Sequence, residues 1–416
     1  MLIKDASILD DGRLLRDVNI AIEGNRITGI GPGLEDEAID GEVIEAAGML
    51  AIPGLINAHT HLAMTLFRGY ADDMELMPWL EEKIWPLEAK LTAEDIHWGV
   101  KLGCLEMIRA GITCYNDMYY FMDETARATK EMGLRAVLSG VLFDMRPDLI
   151  NDAEPFIKRW KGDDLIVPAV GPHAVYTCSE ETLLKAKDIA EKHDVMLHIH
   201  LSETRSEVES FAKNCSQSPV EYLDSLGFLS DRLIAAHCVW LSPKDISIIA
   251  ERKVNVAHCS ISNHKLASGI APIDQLQMAG ANICLGTDGA SSNNSLNLFQ
   301  EMKTTAIAQK CAHSRPDLFK AEEVWKMATE NAYAALRLDL GLRSGALADL
   351  CLIDLKKPWF CPLTDDNIVS HLVYSAQGGV DTTIVNGKVL MKGEIIPGEE
   401  AILDRAQEQF QDLVTR

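Results

Sequence analysis

The sequence of 416 residues lacks several features that would assign it to a specialised class of protein. Its ten cysteines form no C-x-x-C pair, and Cys114 and Cys284 lie inside apolar runs. This pattern indicates reduced thiols packed in a core, as expected in the cytoplasm, and argues against a disulfide framework. No apolar run reaches about 18 residues, so no transmembrane helix is expected. The first residues, MLIKDASILDDG, show no basic segment followed by an apolar one, so we expect no signal peptide.

Positive charge is also scarce. Lys and Arg number 39 against 62 Asp and Glu, which gives a formal net charge of −23. Such an acidic surface repels phosphate backbones and disfavours a nucleic-acid partner. It is compatible with a small neutral or zwitterionic substrate. Hydrophobic residues make up 47% of the chain and charged residues 24%, as is typical of a globular protein with a large core.

Short strand-like segments occupy both ends of the chain. VNIAIEG, NRITGIG and EVIEAAG lie near the N-terminus, and ADLCLIDL and the hairpin-like DTTIVNGKVL lie near the C-terminus. We therefore predict one small β-sandwich domain formed from both chain ends, residues 1–52 and 346–416. Two separate small β units are the alternative.

The middle of the chain, residues 53–345, alternates apolar runs with helix-like stretches. Thr92 and Ser179 are suitable N-caps for two of these helices. The pattern predicts a (β/α)8 barrel of the TIM type. An open doubly wound sheet is the alternative, but no G-x-G-x-x-G nucleotide fingerprint follows any of the candidate strands. The eight strand candidates are LINAHTH, ITCYNDMY, LRAVLSGVLF, LIVPAVGPHAVY, VMLHIHLSE, LIAAHCVWL, VNVAHCSIS and ICLGTDG.

Histidines and acidic residues cluster where the candidate strands end. Catalytic groups of barrel enzymes lie at this end of the strands, and residues i and i+2 of a strand point the same way. His59 and His61 can therefore reach one ion, and the other strand ends bring further donors to the same face. These donors are His173 on the fourth strand, His198, His200 and nearby Glu203 on the fifth, His237 on the sixth, His258 on the seventh and Asp288 on the eighth.

Imidazole and carboxylate ligands without thiolate suit zinc, with iron or manganese as alternatives. Three histidines and one aspartate would leave a coordination position for water, which a divalent ion activates towards hydroxide near neutral pH. Cys238 and Cys259 adjoin two of these histidines, but strand alternation points their thiols away from the site, so we interpret them as core residues.

These segments resemble the amidohydrolase superfamily over nearly the whole chain. The resemblance rests on PGLINAHTHLAMTLFRG, HIHLSET, AAHCVWL and GTDGASSNNSLN, and on the late GALADL segment. Members with two metals usually carry a carboxylated lysine on the fourth strand, whereas LIVPAVGPHAVYT contains no Lys. The resemblance therefore implies one divalent ion per subunit, Zn2+ with Fe2+ or Mn2+ as alternatives. Its implied ligands are His59, His61, His200 and Asp288.

Within the superfamily the chain is similar to the 5′-methylthioadenosine/S-adenosylhomocysteine deaminases, including 5′-deoxyadenosine deaminases. The similarity rests on PWLEEKIWPLEAKLT, PHAVYTCS and SNNSLN. It implies that Trp79 packs against the 5′ substituent and that Glu88 binds the ribose hydroxyls; without it, Trp79 is equally suited to the buried face of a short helix. A homo-oligomer is also implied. The implied substrate-binding residues are Trp79, Glu88, Arg135, His173, Glu203, Asp288 and Ser292, with Arg146 as a second candidate for binding a carboxylate.

The implied reaction is hydrolytic deamination of the adenine ring to the inosine analogue and ammonia. A metal-activated hydroxide attacks C6, Glu203 protonates N1, and Asp288 passes the water proton to the leaving amine. His237 stabilises the tetrahedral adduct. The alternatives are deamination of guanine or another aminoheterocycle, ring dehalogenation, or a non-catalytic structural barrel. Arg135 also fits a simple helix-to-strand turn.

Overall fold

A computed structural model describes residues 1–34 and 41–416 and contains two sheets. The strands are β1 Leu2–Asp10, β2 Arg13–Glu23, β3 Arg26–Gly31, β4 Val43–Glu45, β5 Met49–Pro53, β6 Leu55–Thr60, β7 Ile112–Tyr119, β8 Arg135–Leu142, β9 Ile166–Pro172, β10 Met196–Leu201, β11 Leu233–His237, β12 Asn255–His258, β13 Asn282–Leu285, β14 Leu350–Asp354, β15 Val380–Val385 and β16 Lys388–Met391.

Helices follow or connect most of these strands. Within the described residues, none is long and apolar enough to cross a membrane. The helices are α1 Leu76–Trp79, α2 Trp85–Glu88, α3 Ala93–Arg109, α4 Met122–Met132, α5 Ile150–Trp160, α6 Glu180–His193, α7 Arg205–Cys215, α8 Pro219–Ser225, α9 Pro243–Glu251, α10 Ser260–Lys265, α11 Ile273–Met278, α12 Leu298–His313, α13 Ala321–Ala328, α14 Glu330–Ala335, α15 Ile368–Ser370 and α16 Glu399–Thr415, with 3-10 turns at Leu62–Phe67 and Pro358–Phe360 and π-helical turns at Leu80–Ile84 and His371–Ser375.

The predicted barrel is confirmed. Strands β6 to β13 form one parallel sheet in sequential order, and each overlaps one of the eight predicted segments. The predicted N-caps are also confirmed, since Thr92 forms a capping box with Asp95 and the Ser179 hydroxyl accepts from the Thr182 amide. The helical connections return the chain to the same end of the barrel for each new strand.

Both chain ends contribute to the second sheet, as predicted. Its order is β16-β15-β14-β5-β1-β2-β3, with β4 beside β1. The junction with the barrel is short, because β5 pairs with β14 in this sheet and β6 begins the barrel after Gly54. Helix α16 reaches back to the barrel, where Arg416 pairs with Asp95 of α3.

The barrel interior is filled below its C-terminal end. One buried apolar cluster takes a side chain from every barrel strand, which closes the lumen to solvent and gives the residues above it a rigid floor. Cys114 and Cys284 belong to it, in agreement with their interpretation as packed thiols, and all ten cysteines are unpaired. The lumen side chains are Ile56, Cys114, Val137, Ala169, Met196, Ile234, Ala257 and Cys284.

The seam between the last and first barrel strands positions His59. The Asp288 amide donates to the His59 carbonyl over 2.9 Å, so the strand bearing one acidic donor is joined directly to the strand bearing a histidine. Gly286 makes this approach possible, because a Cβ atom there would lie 2.8 Å from the His59 Cβ. Any larger residue at 286 would push the two strands apart.

Candidate metal centre and active site

Four of the predicted donors converge above the floor of the barrel. His59 Nε2 and His61 Nε2 each lie 3.3 Å from the same oxygen of Asp288, Oδ1. His200 Nε2 lies 3.2 Å from His61 Nε2. The predicted ligand set, drawn from the first, fifth and eighth strands, is therefore brought together at one point.

Hydrogen bonds orient two of these rings. The Nδ1 atoms of His61 and His200 face the carbonyl oxygens of Met118 and His173 at 2.6 and 2.9 Å. A carbonyl only accepts, so each Nδ1 carries the proton and each Nε2 lone pair faces the cluster.

One atom in the cluster is unsatisfied. His59 Nε2 is fully buried and has no hydrogen-bond partner, which normally costs about 1–3 kcal/mol. Burial lowers the pKa of His59 to about 4, so the ring is neutral at physiological pH, as metal ligation requires. A buried lone pair beside two imidazoles and a carboxylate fits a divalent cation.

The two oxygens of Asp288 have different surroundings. Oδ1 faces the histidines, whereas Oδ2 accepts hydrogen bonds from the Ser262 and Ser292 hydroxyls at 2.6 and 2.7 Å. Burial alone would raise the pKa of Asp288, but the neighbouring histidines His59, His237 and His61 hold it well below its ordinary value. The carboxylate is therefore ionised and can both bind a cation and accept a proton.

Glu203, an acidic side chain, and His237, a basic one, face each other beside the cluster. Glu203 Oε2 lies 3.7 Å from His237 Nε2, and Ser268 donates to Glu203 Oε1 over 3.3 Å. Burial raises the pKa of Glu203, which favours a protonated acid. Burial would lower the pKa of His237, but the Glu203 and Asp288 carboxylates outweigh it and raise the pKa. His237 Nδ1 meets the Asn263 Oδ1 at 2.9 Å, which directs Nε2 towards Glu203.

A cavity opens from this cluster towards the segment before α3. Glu88 faces the cavity and accepts from the Tyr119 hydroxyl over 2.6 Å. Burial raises the pKa of Glu88 to about 7, although the Tyr119 hydrogen bond acts in the opposite direction. The Trp79 indole donates to the Ala71 carbonyl over 3.0 Å, so its ring is fixed within the wall. The apolar wall consists mainly of Leu76, Trp79, Leu80, Ile84, Val141 and Phe143.

His173 lines the cavity next to the metal cluster. Its ring lies 4.7 Å from that of His200, and its Nδ1 is 2.9 Å from the Thr177 hydroxyl oxygen. Burial lowers the pKa of His173 to about 3, so this ring is neutral and available for hydrogen bonding to a ligand.

Residues 50–390 match the model of the amidohydrolase family. The chain belongs to this family. Over 415 residues that span 100% of both chains, it is 65% identical to the 5′-deoxyadenosine deaminase of Methanothrix thermoacetophila. It is 44% identical over 432 residues, 100% of this chain and 99% of the relative, to the 5-methylthioadenosine/S-adenosylhomocysteine deaminase of Pelotomaculum thermopropionicum.

Among solved structures, an adenosine deaminase from Xanthomonas campestris with bound zinc superposes with a TM-score of 0.95. The identity is 33%, and the match covers 100% of this chain and 98% of that one. With the His-His-Asp donor set of the barrel, this likeness identifies the amidohydrolase site as that of a metal-dependent hydrolase that binds a divalent ion.

Arg135 does not reach this amidohydrolase site, and the expectation that it binds substrate is corrected. It is the first residue of β8, so it lies at the opposite end of an eight-residue strand, roughly 23 Å from the active-site face. Its guanidinium is buried against Asp349, with Nε–Oδ2 and Nη2–Oδ1 distances of 2.7 and 3.1 Å. The pair links the barrel to the small sheet.

Arg146 lies on the loop after β8, at the active-site face but outside the cavity that contains Glu88. It is exposed and pairs with Asp148 over 2.8 Å, and it lines a neighbouring groove bordered by Tyr119 and Tyr120. The cavity and this groove share part of a wall, but the structure does not place Arg146 among the side chains that face the metal cluster.

Several polar residues of the site were not predicted from the sequence. Ser262 and Asn263, on α10, hold Asp288 and His237, while Tyr119 and Ser268 hold Glu88 and Glu203. The SISN segment, which is separated from the end of β12 by one residue, was the available signal, since polar residues following a barrel strand face the active site.

Proposed function

We propose that the protein deaminates the adenine ring of 5′-modified adenosines by hydrolysis, with 5′-deoxyadenosine the preferred substrate. One observation carries the proposal: the cavity that begins at Glu203 and Asp288 also contains Glu88, a carboxyl suited to ribose hydroxyls. A free base would leave Glu88 unused. The named activities of the two deaminase relatives support the same substrate class.

The end of the cavity near Trp79 and Leu80 favours a substrate with a small, uncharged 5′ group. Among the described residues that line it there is no Lys or Arg, and Trp79 and Leu80 provide apolar surface. A substituent that carries a carboxylate would find no counter-ion there and would have to reach the exposed Arg146 in the neighbouring groove. A methyl or methylthio group would instead bury apolar area.

The side chains have distinct roles in the proposed reaction. His59, His61, His200 and Asp288 would hold a divalent ion, which when bound would lower the pKa of water in the site towards neutrality. Protonated Glu203 donates to N1 of the ring, which makes C6 accept the oxygen nucleophile. Asp288 accepts one proton of the attacking water and transfers it to the amine, which leaves as ammonia, and the second water proton restores the protonated form of Glu203 as the C6 carbonyl forms. His237 stabilises the tetrahedral adduct by donating from Nε2 to the oxygen on C6, with its proton favoured by the Asp288 carboxylate.

We propose one zinc ion per chain. Three imidazoles and one carboxylate suit zinc, and β9 contains no Lys that a second metal would need for a bridge. The site is expected to be loaded in the cytoplasm, because the protein has ten unpaired thiols.

The test is a substrate panel with the metal content measured on the same preparation. The panel comprises 5′-deoxyadenosine, methylthioadenosine, S-adenosylhomocysteine, adenosine, guanine and a chlorinated aminotriazine. Loss of the adenine absorbance band and release of ammonia report deamination. We expect kcat/KM to be highest for 5′-deoxyadenosine and lower for S-adenosylhomocysteine. Faster turnover of guanine or of the chlorinated ring would overturn the proposal.

A further inference from the structure

His59 differs from the other active-site histidines in what holds its outer nitrogen. The Nδ1 atoms of His61 and His200 face backbone carbonyls, and that of His237 faces an amide oxygen. His59 Nδ1 instead lies 2.8 Å from Nε2 of another histidine, His198. An imidazole nitrogen can donate or accept, so this contact alone does not determine which His59 nitrogen carries the proton.

The next contacts remove that ambiguity. The Ser139 hydroxyl donates to the Asp117 carbonyl over 2.8 Å, so its oxygen is left to accept from His198 Nδ1 at 3.4 Å. With its proton on Nδ1, His198 presents an Nε2 lone pair to His59. His59 must then donate from Nδ1, and its Nε2 lone pair faces the cluster. The side chains of His59, His198 and Ser139 are all fully buried, so water does not substitute for any of them.

The opposite protonation would disable the ligand. If His198 carried its proton on Nε2, it would donate to His59 Nδ1 and force the His59 proton onto Nε2. That N–H would point at Asp288 Oδ1, only 3.3 Å away, and form a hydrogen bond in place of two metal contacts. The buried chain from the Asp117 carbonyl therefore selects between a metal-binding and a metal-excluding form of His59.

We propose that His198 and Ser139 are positioning residues that set the His59 tautomer and so strengthen divalent-metal binding. The inference rests on the metal centre of the proposed function but not on its substrate. Outer partners of metal ligands typically contribute about 10- to 100-fold in metal affinity.

The experiment measures zinc affinity of the full-length apoprotein by competition with a chelating dye. His198→Leu should bind zinc about 10- to 100-fold more weakly than the wild type. His198→Gln should recover most of the affinity, because its amide oxygen can accept from His59 at the position of Nε2. His258→Leu is the matched control: the strand-end pattern predicted His258 as a further donor, but in the structure this buried histidine does not line the cavity, and its ring nitrogens have no hydrogen-bond partner within the described residues. It should retain wild-type affinity.

A second readout separates positioning from a structural role. Thermal unfolding is followed with and without zinc, since an ion bound only by the folded state raises Tm by mass action. His198→Leu should keep the Tm of the apoprotein and lose much of the zinc-induced increase. A lowered apoprotein Tm with an unchanged increase would show that His198 only supports packing, and unchanged zinc affinity would overturn the proposal.

Ser139→Ala keeps the test decisive if His198→Leu does not fold. It removes one buried oxygen and should weaken zinc binding about tenfold. Wild-type affinity in Ser139→Ala would refute the selection of tautomer by this chain. Because no substrate is present in these zinc measurements, a failure of the wild type to deaminate 5′-modified adenosines would refute the proposed function and leave this result standing.

Discussion

Lowering the pH through neutrality should weaken catalysis on ribosyl substrates through Glu88. Burial raises the pKa of this carboxyl to about 7 in the free protein. An ionised carboxylate accepts both ribose hydroxyls, whereas the protonated acid is a poorer acceptor. Because kcat/KM reports groups of the free enzyme, the kcat/KM of a ribosyl substrate relative to that of an analogue without ribose hydroxyls should rise as the pH passes through about 7 and level off above it.

The size of the effect follows from the two hydrogen bonds. Bonds to a charged group are worth about 1.5–3 kcal/mol, and neutral ones about 0.5–1.5 kcal/mol. Protonation therefore costs about 1 kcal/mol for each hydroxyl, or about 2 kcal/mol for both. This corresponds to a decrease of about 30-fold in kcat/KM.

The assay follows kcat/KM against pH for 5′-deoxyadenosine and for an analogue without ribose hydroxyls. Ionisation of the water affects both substrates alike, so the analogue should lack only the part of the acidic decrease that Glu88 causes, and the ratio of the two kcat/KM values should fall about 30-fold at low pH. Tyr119→Phe removes the hydroxyl that stabilises the Glu88 carboxylate, so the pKa should rise and the decrease should begin at higher pH. Tyr120→Phe is the control, since no hydrogen bond joins that hydroxyl to Glu88 within the described residues.

Two outcomes would refute this reasoning. One is a ratio of the two kcat/KM values that does not change with pH, and the other is a ratio whose pH profile Tyr119→Phe leaves in place. Glu203 does not imitate the effect, because an acid that must be protonated lowers the rate at high pH and not at low pH.

Three further variants test other parts of the molecule. Glu203→Gln should lower kcat at least about 100-fold while elemental analysis finds the metal retained; near-normal turnover would reject Glu203 as the proton donor. His61→Ala should lose the metal, and a full metal complement would remove His61 from the ligand set. Asp349→Ala leaves Arg135 buried without its partner and should lower the free energy of unfolding in urea by about 3–5 kcal/mol, with KM unchanged. A raised KM together with wild-type stability would instead indicate that Arg135 takes part in substrate binding.

The strand-end histidines show why much of the site was predictable. Parallel barrel strands all end on one face, so a donor at the end of one strand lies near donors at the ends of the others, whatever the sequence separation. His59 and Asp288 are far apart in the chain, yet their positions at strand ends were sufficient to predict that they meet. The same periodicity predicted the eight strands, because parallel strands buried on both faces read as apolar runs.

Arg135 shows where the family resemblance fails. Strand alternation indicates which face of a sheet a residue occupies, but a motif match does not say at which end of the strand it lies. Helix α4 ends at Met132, and only Gly133 and Leu134 separate it from β8. Arg135 is therefore the first residue of β8 and lies at the end of the barrel opposite the active site. Its partner Asp349 lies just before β14, far from Arg135 in the sequence, and no local sequence pattern predicts that the two side chains meet.

The sequence by itself determined the barrel, the two-ended sheet and the residue types at the strand ends, because these follow from periodicity and from the direction of parallel strands. Only the tertiary structure decided which atoms of those residues face the cluster. The orientation of His59 depends on His198 and Ser139, and that of Asp288 on Ser262 and Ser292. These hydrogen bonds form because the folded core brings donor and acceptor to a suitable distance and angle. The spacing of the residues along the chain does not predict that geometry.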